Sequence, residues 1–228
     1  MHRIDLPDWA RERGRAMNDF PALDRGRTAL VNIDMQNVFV AEDGLYATGH
    51  ARDIVANVNA LSRALRGIGA PVIWTRQTHT VEGPCAPAAW HYDLSHPEVA
   101  AGVAALQAGA RGQALAEAME VASADIVIDK YRYGALSCPG GQLRRTLDAL
   151  GAGMVVITGV RTNCCCESTA REAHMAGYKV IVVADATAAI TDAEHNAALL
   201  NLRLDFADVR ATDEVLAMID AAGAMADG

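Results

Sequence analysis

A chain of 228 residues is long enough to bury about 70% of its extended surface around one substantial core. Hydrophobic residues make up 51% of it and charged residues 21%, the balance of an ordinary globular protein, which excludes global disorder and a fibrous chain. A formal net charge of −8, with no long basic run, argues against electrostatic capture of nucleic acid or of an anionic membrane surface.

Residues 1–27 mix Arg3, Arg11, Arg13 and Arg15 with Asp5, Asp8, Glu12 and Asp19 and contain no apolar core, so they read as a polar arm and not as a signal or transit peptide. Residues 28–34 are a β-branched run closed by a carboxylate, a buried first strand. Over 51–67, Ile54, Val58, Leu61 and Leu65 recur at helical spacing, and Gly67 and Gly69 end the pattern. Residues 71–76 supply the next strand. The stretch 80–123 reads as a divergent insertion: Pro84, Pro87 and Pro97 break its first half, while 98–120 is alanine-rich and reads as helical. Further strands are expected at 125–129, 154–158, 178–183 and 209–211, separated by helical patterns at 140–150, 164–176 and 192–205. Strands without polar alternation, alternating with helices, define the α/β class: a three-layer α/β/α domain over residues 28–228 with a mainly parallel central sheet. Uncharged stretches such as that between Glu98 and Arg111 fall short of the ~18 residues that a membrane-spanning helix needs. Five cysteines, three of them consecutive, suit no disulfide framework and point to the reducing cytoplasm.

In open parallel sheets functional groups gather at the carboxyl ends of the strands. Asp34 closes the first strand, Lys130 follows the strand at 125–129, and Cys165 opens the helix after the strand at 154–158. A thiol in the first turn of a helix meets the positive end of the macrodipole, and a neighbouring Lys130 would add to it, favouring a nucleophilic thiolate. A carboxylate close to that thiol can take its proton and later deliver it to a leaving amine, a role open to Asp34. Taken singly, Asp34 reads equally as a turn cap, Lys130 as a surface ion-pair partner and the cysteine triplet as apolar helix filler; their joint placement favours chemistry. At about 100° per residue Cys165 shares a helix face with Thr169, while Cys164 and Cys166 turn aside and read as packing. Adjacent cysteines lack the spacing of a zinc site, so neither a metal nor another cofactor is expected.

The blocks Asp34-Met-Gln-Asn, Lys130-Tyr-Arg-Tyr-Gly-Ala-Leu, Thr158-Gly-Val-Arg-Thr-Asn-Cys-Cys-Cys-Glu-Ser-Thr-Ala-Arg-Glu-Ala and Val183-Ala-Asp-Ala stand in an order and spacing that resemble the isochorismatase-like cysteine hydrolases. The resemblance spans residues 27–220 and is weak between 80 and 123. It places the nucleophile four residues before the Thr of the Thr169-Ala170 pair, at Cys165, in agreement with the helix-face reading. It further implies that Asp34 and Lys130 complete a Cys-Asp-Lys triad, that a cis peptide joins Val160 to Arg161, and that the Arg161 and Cys165 amides form an oxyanion hole. The implied reaction passes through a thioester on Cys165.

Isochorismatases proper, which cleave a vinyl ether, lack the cysteine present here, so the resemblance favours C–N hydrolysis. Nicotinamidases carry an Asp-x-His metal cluster where this chain reads Arg76-Gln-Thr-His79, which argues against a metal. The run 162–169 is similar to ureidoacrylate amidohydrolases, N-carbamoylsarcosine amidases and biuret hydrolases, implying a small amide or ureido substrate. Gln36, His79, Trp90, His91, Tyr92 and Arg161 are the candidate substrate-binding residues, with Arg76 and Arg161 available to a substrate carboxylate. A homo-oligomer, dimer or tetramer, is expected because relatives commonly oligomerise and the 98–120 segment offers apolar surface. Two alternatives remain open: hydrolysis of another small amide or an aromatic carbamate, and a catalytically idle module whose thiols sense redox state.

Overall fold

Each β-branched run of the sequence becomes a strand and each amphipathic run a helix that returns the chain to the same sheet edge. The computed structural model describes residues 1–88 and 90–224. Its strands are β1 (Thr28–Ile33), β2 (Val72–Gln77), β3 (Ile126–Lys130), β4 (Met154–Val160), β5 (Lys179–Ala188) and β6 (Asp208–Arg210). They form one parallel sheet in the order β3-β2-β1-β4-β5-β6. The helices are α1 (Asp8–Arg15), α2 (Asn37–Val40), α3 (Gly49–Asp53), α4 (Val55–Gly67), α5 (Pro97–Ala105), α6 (Gln142–Ala149), α7 (Glu167–Met175), α8 (Asp192–Asp205) and α9 (Thr212–Ala224), with one π-helical turn at Thr162–Cys166.

Successive side chains of a strand turn to opposite faces, so a buried parallel sheet needs a cover on both. Ala29, Val31, Ile33, Val155, Ile157, Val180 and Val182 pack against Leu143 and Leu147 of α6, Ala170 and Ala173 of α7, and Leu199 and Leu202 of α8. Leu30, Val72, Trp74, Val156, Ile181 and Val183 meet Val58, Leu61 and Leu65 of α4 and Val215 and Ile219 of α9 on the other face. This is the expected three-layer α/β/α arrangement. Burying a side chain such as Leu61 or Leu199 stabilises the fold by about 1.5–3 kcal/mol.

The helical pattern at 51–67 divides at Ile54 into α3 and α4, and the Thr48 side chain caps the first turn of α3 through the Ala51 amide. Helix forms over only the first part of the alanine-rich stretch. Beyond α5, backbone bonds from Asn37 to Ala114, Val38 to Gly112 and Ala116 to Met35 lash residues 112–116 to the loop after β1, and those long-range bonds override alanine's helix propensity. The arm carries α1, which lies against α8 so closely that a Cβ at Gly14 would stand 2.2 Å from the Arg203 carbonyl oxygen. Arg203 in turn donates to the Arg11 carbonyl at 3.0 Å and pairs with Asp208 at 2.8 Å. Among the described residues no helix is long and apolar enough to cross a membrane.

Candidate active site

The strand order reverses between β1 and β4, and the crevice beyond their carboxyl ends is where open α/β sheets bind ligands. Asp34 follows β1 directly, fully buried, with φ of 51°, a left-handed conformation unusual for a residue with a side chain. Neighbouring β2 holds it there: the Asp34 amide donates to the Thr75 carbonyl, and the Thr75 hydroxyl donates to Oδ1 at 2.7 Å. Lys130 ends β3 with its Nζ 2.8 Å from Asp34 Oδ2, 2.6 Å from Gln77 Oε1 and 3.0 Å from the Arg132 carbonyl oxygen, so its three N–H groups face three acceptors. Burial alone would lower the Lys130 pKa, but Asp34 and Cys165 outweigh it and hold the ammonium above the ordinary lysine range.

Strand β4 reaches the same crevice through Gly159, whose φ of 106° and close approach to β1 leave no room for a side chain: a Cβ would stand 2.0 Å from the Ile33 carbonyl oxygen. A cis peptide joins Val160 to Arg161. The π-helical turn follows, closed by the Cys164 and Cys166 amides, which both donate to the Arg161 carbonyl at 3.1 Å. Thr162 Oγ1 lies 2.8 Å from His195 Nδ1, tying this turn to α8. The His195 ring stacks on His2 of the arm, and His2 on His50 of α3.

The π turn corrects two expectations drawn from an α-helix. Cys166 packs into the core as expected, but Cys164 lines the cavity beside Cys165, because the wider turn brings adjacent side chains round to one opening. The Cys165 thiol is not lowered toward the thiolate. A hydrogen bond with the Cys164 side chain and burial hold it well above its ordinary value, with Lys130 opposing and Asp34 adding to the rise. At rest it is a neutral thiol beside a buried carboxylate–ammonium pair.

The cavity above it has a volume of about 480 Å³ and is walled by Phe39, Tyr46, Tyr92, Val99, Val103, Leu106, Tyr133 and Ile190, with Gln77, His79, Arg161, Asn163 and Glu194 as its polar points. Burial, aided by Lys130 and His91, pushes the His79 pKa down to about 4, so its imidazole is neutral at pH 7. Burial and the Tyr133 hydroxyl raise the Tyr92 phenol.

Of the residues expected to meet substrate, His79, Tyr92 and Arg161 line this cavity. Gln36 does not: its Nε2 donates to the Gln77 and Gln113 carbonyls and its Oε1 accepts from the Gln77 amide, so the whole group is spent joining the loop after β1 to β2. Trp90 is 82% exposed, its ring stacked among the described residues on His91 alone, and it does not line the cavity. His91 is also exposed and reaches the cavity at second hand, through Tyr133 at 3.3 Å and the Tyr92 ring. Arg76 is paired with Asp129 at 2.7 Å and does not line the cavity. Gln77, Asn163, Tyr46 and Tyr133 were not anticipated. Gln77 satisfies the same strand-end rule as Asp34, and Tyr133 and Asn163 lie within the sequence blocks that follow β3 and β4, whereas Tyr46 arrives through a loop with no sequence pattern of its own. Among the described residues the side chains close enough to share a cation are His2, His50 and Asp192, and His79 is not one of them.

Residues 28–214 match the isochorismatase domain. Ureidoacrylate amidohydrolase RutB of Methylobacterium radiotolerans is 34% identical over 90% of this chain and 86% of its own length. A cysteine hydrolase from Pseudomonas syringae pv. phaseolicola superposes with a TM-score of 0.78 at 27% identity, over 90% of this chain and 99% of that one. N-carbamoylsarcosine amidase from Thermoplasma acidophilum does so with a TM-score of 0.67 at 26% identity, over 82% and 97%. The chain belongs to the isochorismatase family, and it is a hydrolase of that family.

Proposed function

We propose that the protein is a cysteine amidohydrolase that cleaves a C–N bond of a small ureido or other N-carbamoyl substrate through a thioester on Cys165. The observation that carries this reading is the ion pair of Asp34 and Lys130, wholly buried and felt electrostatically by a neutral thiol that opens into a cavity. The likeness to ureidoacrylate amidohydrolase and to N-carbamoylsarcosine amidase supports the ureido class.

In the proposed cycle Asp34 takes the Cys165 proton as Sγ adds to the carbamoyl carbon. The amides of Arg161 and Cys165 receive the oxyanion, since the Cys164 and Cys166 amides are already committed to the Arg161 carbonyl. Asp34 returns the proton to the departing nitrogen, which leaves as ammonia, and a carbamoyl thioester (an S-thiocarbamate) remains on Cys165, whose hydrolysis product is the carbamic acid. Water then gives its proton to Asp34 and its hydroxyl to the acyl carbon, the C–S bond breaks, and the proton returns to sulfur as the acid leaves. Lys130 holds the carboxylate in place and offsets the negative charge developing on sulfur. Neutral His79, Gln77 and Asn163 offer hydrogen bonds to the ureido N–H and C=O groups. The five free cysteines suit a reducing cytoplasm.

The test is release of ammonia from ureidoacrylate, N-carbamoylsarcosine, biuret and nicotinamide, with and without a chelator. A ureido compound is expected to be turned over, unaffected by chelator, with an acyl adduct on Cys165 after acid quench. Cys165→Ala is expected to lose turnover by at least a thousandfold with the fold intact; substantial residual kcat in that variant sinks the scheme.

A further inference from the structure

The cavity is larger and more apolar than a carbamoyl group requires. At about 480 Å³ it lies in the range that encloses drug-sized molecules, whereas the whole ureido group is four heavy atoms. Its apolar wall is built, not incidental. Gly102 of α5 stands where any Cβ would be 1.8 Å from the Tyr46 hydroxyl oxygen, so the absence of a side chain there lets Tyr46 lie against the helix. The Tyr92 ring is fixed edge-on to His79 with centroids 4.6 Å apart. Val103 and Leu106 continue the same wall.

Arg161 supplies the positive charge that lines this cavity. The Arg161 guanidinium lies 5.7 Å and 5.9 Å from the ring centroids of Tyr46 and Phe39, and among the described residues it forms no ion pair with a carboxylate. The cavity's own carboxylate, Glu194, accepts at Oε2 from the Thr191 amide and hydroxyl at the start of α8, which turns that oxygen toward the helix start. A half-buried guanidinium resting on two aromatic faces keeps its N–H fork available to a planar anion.

We infer that the substrate is a ureido-carboxylic acid with a large apolar body, its carboxylate on Arg161, its carbamoyl carbon at Cys165 Sγ and its aromatic or branched aliphatic body against Tyr46, Val103 and Leu106. The inference rests on the amidohydrolase reading for the reaction, but the cavity and its Arg161 stand independently of it.

Two measurements separate the two claims. The first compares kcat/KM for N-carbamoylglycine, both enantiomers of N-carbamoylphenylalanine and phenethylurea, which keeps the aromatic body without the carboxylate. One N-carbamoylphenylalanine enantiomer is expected to exceed N-carbamoylglycine by about thirtyfold or more, and phenethylurea by at least tenfold. Arg161→Ala is expected to erase the preference for the carboxylate compound over phenethylurea, mostly through KM, with Arg161→Lys restoring part of it. Equal rates for the glycine and phenylalanine compounds, or a preference untouched by Arg161→Ala, overturns the inference while leaving the amidohydrolase reading in place. The second measurement is calorimetric titration of 3-phenylpropanoate into Cys165→Ala and into Cys165→Ala/Arg161→Ala. Binding that falls at least tenfold on removal of Arg161 supports the cavity assignment even if no ureide is hydrolysed, an outcome that would strike only the reaction. No binding to either variant overturns the assignment.

Discussion

Lys130 is an ammonium with 1% of its side chain exposed, and its stability depends on what faces it. Lys130→Met should leave the Asp34 carboxylate buried without its counter-ion and cost about 3–5 kcal/mol in urea unfolding. Adding Asp34→Asn should return most of that stability without any activity, because the double variant removes both charges and with them the base. His195 makes a second prediction. It is wholly buried, and burial together with His2 pushes its pKa down to about 3, while Asp192 opposes and His50 adds to the fall. Between pH 6.5 and that value the unfolded chain binds a proton that the native state does not, so stability must fall as pH falls. From pH 7 to pH 5 this one group should remove about 2 kcal/mol, and His79 acts in the same direction. Comparison of urea midpoints at the two pH values should show a smaller loss in His195→Gln. Asp34, Lys130 and Cys165 were legible in the sequence because each ends a strand or opens a helix. Gln36 and Trp90 were misread because residue type does not reveal whether an amide is already satisfied or an indole faces solvent.

Local signals located the elements well where caps and periodicity agree. Helix α8 spans the predicted 192–205, and its start is marked by a capping box in which Thr191 and Glu194 satisfy each other's backbone amides. Thr191→Ala should cost about 1 kcal/mol and is checked by thermal melting. Strand β5 runs five residues past its predicted end, because Thr187 and Ala188 pair with Gly159 and Val160 of β4 beyond the register shift between Ile157 and Gly159. The π turn was invisible: its hydrogen bonds differ from those of an α-helix by one residue, and no composition rule distinguishes them. Gly159→Ala should be severe for a different reason, since it drives β4 against the Ile33 carbonyl where β1 delivers Asp34. A loss of about 3 kcal/mol or more is expected, with activity falling in parallel.

For the whole molecule, the α/β class and its layers followed from the alternation of unpatterned strands and amphipathic helices. The neighbours of each strand did not, because periodicity marks a strand without saying what it pairs with. The order β3-β2-β1-β4-β5-β6 is what gathers the site: it places the ends of β1 and β4 side by side and brings β3 within reach across β2. The arm, read from the sequence only as polar, is seated on α8, and its His2 stacks on the imidazole that anchors the π turn.

That strand order divides the chemistry between two contiguous lengths of chain. Everything up to the exposed bend at Leu150 and Gly151 carries β1, β2 and β3 with Asp34 and Lys130, and everything after it carries β4, β5 and β6 with Cys165. The two lengths meet along the β1–β4 seam and through the helices that flank it. A chain cut at that bend would give one fragment with the proton acceptor and its counter-ion and another with the sulfur. Neither alone could hydrolyse anything, and ammonia release on mixing them would report their reassociation across a single strand pairing.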